Sequence, residues 1–175
     1  MARKNTKKLA VCAMASALGT VLLYIGSFIE ILEISIAVLA SVLTTLMVIE
    51  YGKGSPWAVF AATSILSLIL LPYKLPAFMY ALFFGYYPII KEKIERLKNK
   101  AVQWLIKIGL FSAASALLLF ICTVFTADLE LSSGILMTVA FVALAEIMYV
   151  MYDIALTRII SLYLIRFRHR FKKLF

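Results

Sequence analysis

The chain has 175 residues, of which 64% are hydrophobic, and a formal net charge of +9. A soluble domain of this length is nearer half apolar, so the composition argues against an ordinary water-soluble fold. Nucleic-acid binding is not needed to explain the charge, because its placement along the chain accounts for it.

Apolar runs of about 17–20 residues or more read as membrane spans. Six are expected, at about residues 9–28, 34–49, 56–71, 76–90, 102–125 and 133–164. Together they predict an all-α integral membrane bundle in one domain over residues 1–175. The first run follows the basic start "MARKNTKK", as in a signal peptide. It is too long for a signal core of roughly 7–15 residues, and five more apolar segments follow, so it reads as a span.

Projected at about 100° per residue, the first span carries two strips of small side chains. Ala10, Ala13, Ala17 and Thr20 form one strip, and Cys12, Ser16 and Gly19 form the other. Val11, Met14, Leu18, Val21, Leu22 and Ile25 fill the opposite half, with Ala15 the small exception. Small faces let membrane helices approach closely. Packing inside the bundle explains one strip; two are more than one neighbour needs.

The third and fourth spans are joined by "PYKLP", a tight turn that cannot continue a helix. The fourth ends in "GYYPII", where Gly85 and Pro88 allow a kink or a break. Tyr86, Tyr87 and Trp104 suit a membrane interface. Cys12 and Cys122 both fall within spans and read as small buried hydrophobes, not as a disulfide or a metal site.

The basic residues set the orientation. Arg3, Lys4, Lys7 and Lys8 precede the first span, and Lys53 lies between the second and third. Lys91, Lys93, Arg96, Lys98 and Lys100 lie between the fourth and fifth, in "KEKIERLKNK". Arg166, Arg168, Arg170, Lys172 and Lys173 follow the sixth. All of these fall on one side. Lys107 and Arg158 lie within spans near it, and only Lys74 lies opposite. The opposite side carries Glu30, Glu33, Asp128 and Glu130. By the positive-inside rule both termini are expected to be cytoplasmic. "KEKIERLKNK" reads as a solvated loop that sets topology, or as a segment lying along the inner surface against partners.

Catalytic chemistry has no signature here. There is no Gly-rich phosphate loop, no zinc-type His pair and no Cys pair at ligand spacing. His169 sits in the basic tail "RFRHRFKKLF" and reads as a headgroup-facing residue. The chain is not expected to be an enzyme, to hold a metal or to need a cofactor. The informative charges lie inside spans. Glu146 and Asp153 are seven residues apart on nearly one face of the sixth span, with Tyr149 between them and Thr157 one turn below. Glu146, near mid-membrane, reads as a substrate or proton site, or as a buried carboxylate held by a neighbouring helix. Asp153 and Lys107 lie at similar depth on consecutive antiparallel spans. They are expected to form a buried pair.

The segment Ala13-Met14-Ala15-Ser16-Ala17 has an A-x-x-x-A pattern beside a basic N-terminus. With six spans, cytoplasmic termini and this length, the chain resembles the substrate-binding S components of energy-coupling factor transporters. The resemblance implies a subunit for import of a vitamin or other micronutrient in a bacterial cytoplasmic membrane. It also implies docking of the Ala10, Ala13 and Ala17 face on a transmembrane coupling protein driven by two cytoplasmic ATPases. Metal-binding histidines near the N-terminus, expected of a nickel or cobalt unit, are absent. The second reading is a membrane scaffold similar to the cell-shape protein MreD, which shares the topology.

On the transport reading, a small-molecule substrate enters from the outer face. The residues expected there are Glu30, Glu33, Tyr73, Lys74, Asp128 and Glu130, with Phe78 and Tyr80 just below and Glu146 deeper. An acidic rim with aromatic walls suits a flat, neutral or cationic molecule better than a polyanion.

Overall fold

A computed structural model describes the backbone of residues 2–52, 54–125 and 134–167. All regular structure among the described residues is helical. The helices are α1 (Ala2–Gly26), α2 (Glu33–Tyr51), α3 (Ser55–Leu70), α4 (Leu75–Met79), α5 (Tyr87–Ile94), α6 (Lys100–Phe125) and α7 (Gly134–Leu162). By length and composition, Thr6–Gly26, Glu33–Tyr51 and Val142–Arg166 are long and apolar enough to cross a membrane; Ser55–Leu70 is apolar but shorter. The chain divides into two compact units, residues 1–100 and 101–175.

Local sequence explains the breaks between helices. Gly52 and Gly54 take φ of 57° and 93°, which residues with a Cβ rarely adopt, and reverse the chain between α2 and α3. Pro56, Pro76 and Pro88 each sit in the first turn of a helix, where a missing N–H costs nothing. Pro76 therefore opens α4, and the turn before it is made by the residues from Leu71 to Lys74. The expected fourth span is not one helix. Its middle, Tyr80–Phe84, is a wider π-type turn in which the Gly85 N–H donates to the Tyr80 carbonyl at 2.7 Å.

In the first unit α1 packs on α2 and α3, and α2 runs beside α4, the wide turn and α5. Contact is close where glycine allows it. A Cβ on Gly19 would stand 3.1 Å from Thr63 Cγ2 on α3, and one on Gly26 would stand 2.9 Å from Ile36 Cγ2 on α2.

Small hydroxyl residues share the interior with apolar ones, and many large apolar side chains face outward. Ser16, Thr20, Ser27, Ser41, Thr44, Thr45, Thr63, Ser64 and Ser67 are buried. Large apolar side chains such as Leu9, Met14, Leu18, Val21, Ile25, Ile65 and Ile69 are exposed. Most of the buried hydroxyls are satisfied locally. Ser16 Oγ donates to the Cys12 carbonyl at 2.9 Å, Thr20 Oγ1 to that of Ser16 at 2.9 Å, and Thr45 Oγ1 to that of Ser41 at 2.9 Å. Such back-bonding lets small polar side chains occupy a dry helix interface.

α1 shows how its two strips are used. Cys12, Ser16 and Gly19 are buried, while Ala10, Ala13 and Ala17 are exposed. Two residues depart from the projection. Thr20, expected on the alanine strip, is buried because it lies only about 40° from Ser16, at the strip's inner edge. Ala15, expected on the opposite half, is buried about 60° from Cys12 on the other flank. With Cys12, Met47 and Val59 it forms an apolar cluster joining α1, α2 and α3.

Candidate functional site

The first unit's polar interior centres on Tyr80. It opens the wide turn, is only 1% exposed, and its hydroxyl shares a 2.8 Å hydrogen bond with Thr44 Oγ1 of α2. Thr44 lies eleven residues into α2, about 16 Å from its start at 1.5 Å per residue. The Tyr80 hydroxyl thus reaches well below the α2 N-terminus, and Tyr80 is a buried rung, not an open wall. Its ring is 6.1 Å from Phe60 of α3, and Phe60 is also 5.9 Å from Trp57 and 6.2 Å from Tyr86. Gly85 closes this aromatic group: a Cβ there would come within 2.7 Å of Phe60 and 2.8 Å of Tyr80.

The hydroxyl residues around this centre escaped the sequence reading. Ser41, Thr44 and Thr45 fall at helical spacing on one face of α2, and Thr63, Ser64 and Ser67 do so on α3. Those three- and four-residue spacings of hydroxyls were the available signal, because the period that marks an apolar face in water marks a polar one in lipid.

The other expected pocket residues differ in burial. Glu33 is buried as the first residue of α2, where a carboxylate complements the helix dipole. Phe78 is half-buried, and Tyr73 is exposed. Lys74, expected at the pocket mouth, instead caps α3: its Nζ donates to the Leu68 carbonyl at 2.6 Å and approaches that of Ile69 at 3.5 Å. Glu30 lies in a short 3-10 turn, Glu30–Leu32. Asp128 and Glu130 lie outside the described residues, as do Lys53 and His169.

Lys91 corrects the expectation of a solvated loop. It is 1% exposed because α5 continues to Ile94, which puts Lys91 one turn beyond Tyr87 on the helix's buried side. Its Nζ lies 3.4 Å from Glu95 Oε1 and 5.9 Å from the centre of the Tyr87 ring. Arg96 pairs with Glu92 on the exposed side of the same segment.

In the second unit, Lys107 of α6 and Asp153 of α7 come together, Nζ to Oδ2 at 2.8 Å, both buried. Lys107 Nζ also lies 5.6 Å from the Trp104 ring. One turn along α7, Tyr149 stacks on Phe111 with ring centres 4.3 Å apart. Glu146 is half-buried, and its Oε2 is shielded from solvent without a hydrogen-bond partner. Among the described residues, no group of three or more His, Cys, Asp or Glu side chains could hold a metal ion. In comparisons with known proteins, no family model, no curated protein and no solved structure matches the chain.

Proposed function

We propose that the chain is the substrate-capture subunit of an importer of the energy-coupling factor type, embedded by six spans in a bacterial cytoplasmic membrane with both termini inside. It binds a small, flat, neutral or cationic molecule from the outer side and does no chemistry on it. A transmembrane coupling protein and two cytoplasmic ATPases supply the energy. The observation that carries the reading is the division of α1. The first unit buries Cys12, Ser16 and Gly19 and leaves Ala10, Ala13 and Ala17 uncovered. An uncovered small face in lipid gives up the dispersion contacts that larger side chains would make, and it suits the close approach of a second helix. The resemblance in A-x-x-x-A pattern, length and span number supports the same reading.

The aromatic group around Phe60 favours capture over a scaffold. A scaffold needs helix packing, which apolar and small residues supply. Phe60 meets Trp57 and Tyr86 and is backed by the buried Tyr80, and aromatic surface of this sort is what small-molecule sites use. The test is co-purification of the tagged chain with its membrane partners. Wild type is expected to bring down a coupling protein and ATPases. Ala13→Leu and Ala17→Leu are expected to lose them while folding normally. Recovery of cell-shape proteins in their place would establish the scaffold reading.

A further inference from the structure

α7 places Glu146 about 18 Å along its axis from Gly134 and about 10 Å before Asp153, at 1.5 Å per residue. That is near the middle of a 29-residue helix, which is longer than a hydrocarbon core about 30 Å thick requires. Its Oε2 is shielded and receives no hydrogen bond. A carboxylate in that position would be an unmatched charge in a medium of low dielectric, whereas a neutral carboxyl group is a far smaller burden.

The neighbouring charges do not match it. Lys107, the cation that α6 presents to α7, is engaged by Asp153 at 2.8 Å, so that pair is balanced. Arg158 is exposed and lies about 18 Å further along α7, and Lys100 is exposed at the start of α6 about 10 Å before Lys107. Tyr149, buried and stacked on Phe111, stands between Glu146 and the pair. The second unit therefore offers Glu146 no compensating cation among its described side chains.

We infer that Glu146 is a proton-binding site within the membrane, with one proton bound to its carboxyl group in the resting protein. Loss of that proton would leave one unmatched negative charge within the span. It would be tolerated only if α7 carried the carboxylate to water or a cation came to it. Proton occupancy at Glu146 is thus tied to the position of α7. The inference rests on α7 crossing the membrane, but not on the identity of any substrate or partner.

The experiment is infrared difference spectroscopy of the full chain in lipid nanodiscs at neutral pH. The Glu146→Gln spectrum is subtracted from that of wild type. Glutamine is isosteric with the protonated acid, so the variant is expected to fold. The expected result is a carboxylic-acid carbonyl band in wild type that is missing from Glu146→Gln and unchanged in Glu50→Gln. Glu146→Asp should shift the band, which assigns it even if the glutamine variant folds poorly. A carboxylate band in its place, or a carboxylic-acid band that survives in Glu146→Gln, overturns the proposal. Ile147→Cys, with Cys12 and Cys122 replaced by Ala, tests the span separately. Protection from a water-soluble maleimide supports an embedded α7. Labelling overturns the span and this inference together.

Discussion

Lys107 Nζ lies 2.8 Å from Asp153 Oδ2, and both side chains are buried, on helices whose partnered residues are 46 positions apart in the chain. Removing one partner leaves the other as an uncompensated buried charge, at a cost of about 3–5 kcal/mol. Lys107→Met and Asp153→Asn should each lower the thermal midpoint strongly. The double variant Lys107→Met/Asp153→Asn should lower it by less than the two singles combined, because it buries no charge. A double-mutant cycle read by thermal unfolding in detergent checks this. Additive losses would show that the pair does not couple.

The two strips of α1 should respond oppositely to bulk. Ala13→Leu and Ala17→Leu place a leucine on an exposed face, so the isolated protein should keep its thermal midpoint. Gly19→Leu must push into Thr63, and Ser16→Leu into a buried interface, so overpacking should cost about 1–3 kcal/mol. Side-by-side unfolding of the four variants separates the strips. Loss of folding from Ala13→Leu with none from Ser16→Leu would reverse the assignment.

The wide turn gives a third prediction. Gly85→Ala would set a methyl group against Phe60 and Tyr80 at 2.7 and 2.8 Å. The rings must move, so a loss of about 1–3 kcal/mol is expected, with a changed tyrosine fluorescence environment. Gly109→Ala on α6, where a Cβ meets nothing within 4 Å, should leave the midpoint unchanged or raise it. Equal effects at the two glycines would contradict the close packing described around Gly85.

These sites also show how much the sequence could reveal. Apolar runs located α2, α3, α6 and α7 to within a few residues, whereas α1 begins at Ala2, seven residues before the expected span, because a basic, polar first turn continues a helix without adding to its apolar run. Depth along consecutive spans was enough to pair Lys107 with Asp153. The break at Tyr80–Phe84 was visible only as a permissive Gly85 and Pro88, since a π-type turn has no residue requirement of its own. Lys91 was misread because the charge of a residue does not reveal which face of a short helix it occupies. The buried hydroxyls went unremarked because Ser and Thr within an apolar run satisfy their own helix carbonyls and leave hydropathy high. The hydrogen bonds of Lys74 to carbonyls five and six residues back were not legible, because only the folded turn brings them within reach.

Tyr80→Phe isolates the hydroxyl at the centre of the first unit. Removing one partner of its bond to Thr44 should cost about 0.5–1.5 kcal/mol, and Thr44→Val should cost a similar amount. Together they should cost less than the sum, since both remove the same bond. Unfolding of the two singles and the double measures this directly. Strict additivity would mean that the two hydroxyls do not depend on each other.

The central claim is that this chain captures a small molecule, and the thermal midpoint of the purified protein across a panel of vitamins and related micronutrients tests it most directly. A ligand that binds only the folded state at a hundredfold above its Kd stabilises it by about 2.7 kcal/mol, which is a readable shift. The account predicts a rise with at least one flat, neutral or cationic member of the panel. That rise should stay undiminished in Ala13→Leu. A flat response from every compound, or a rise only with multiply negative ligands that persists at low salt, would contradict it.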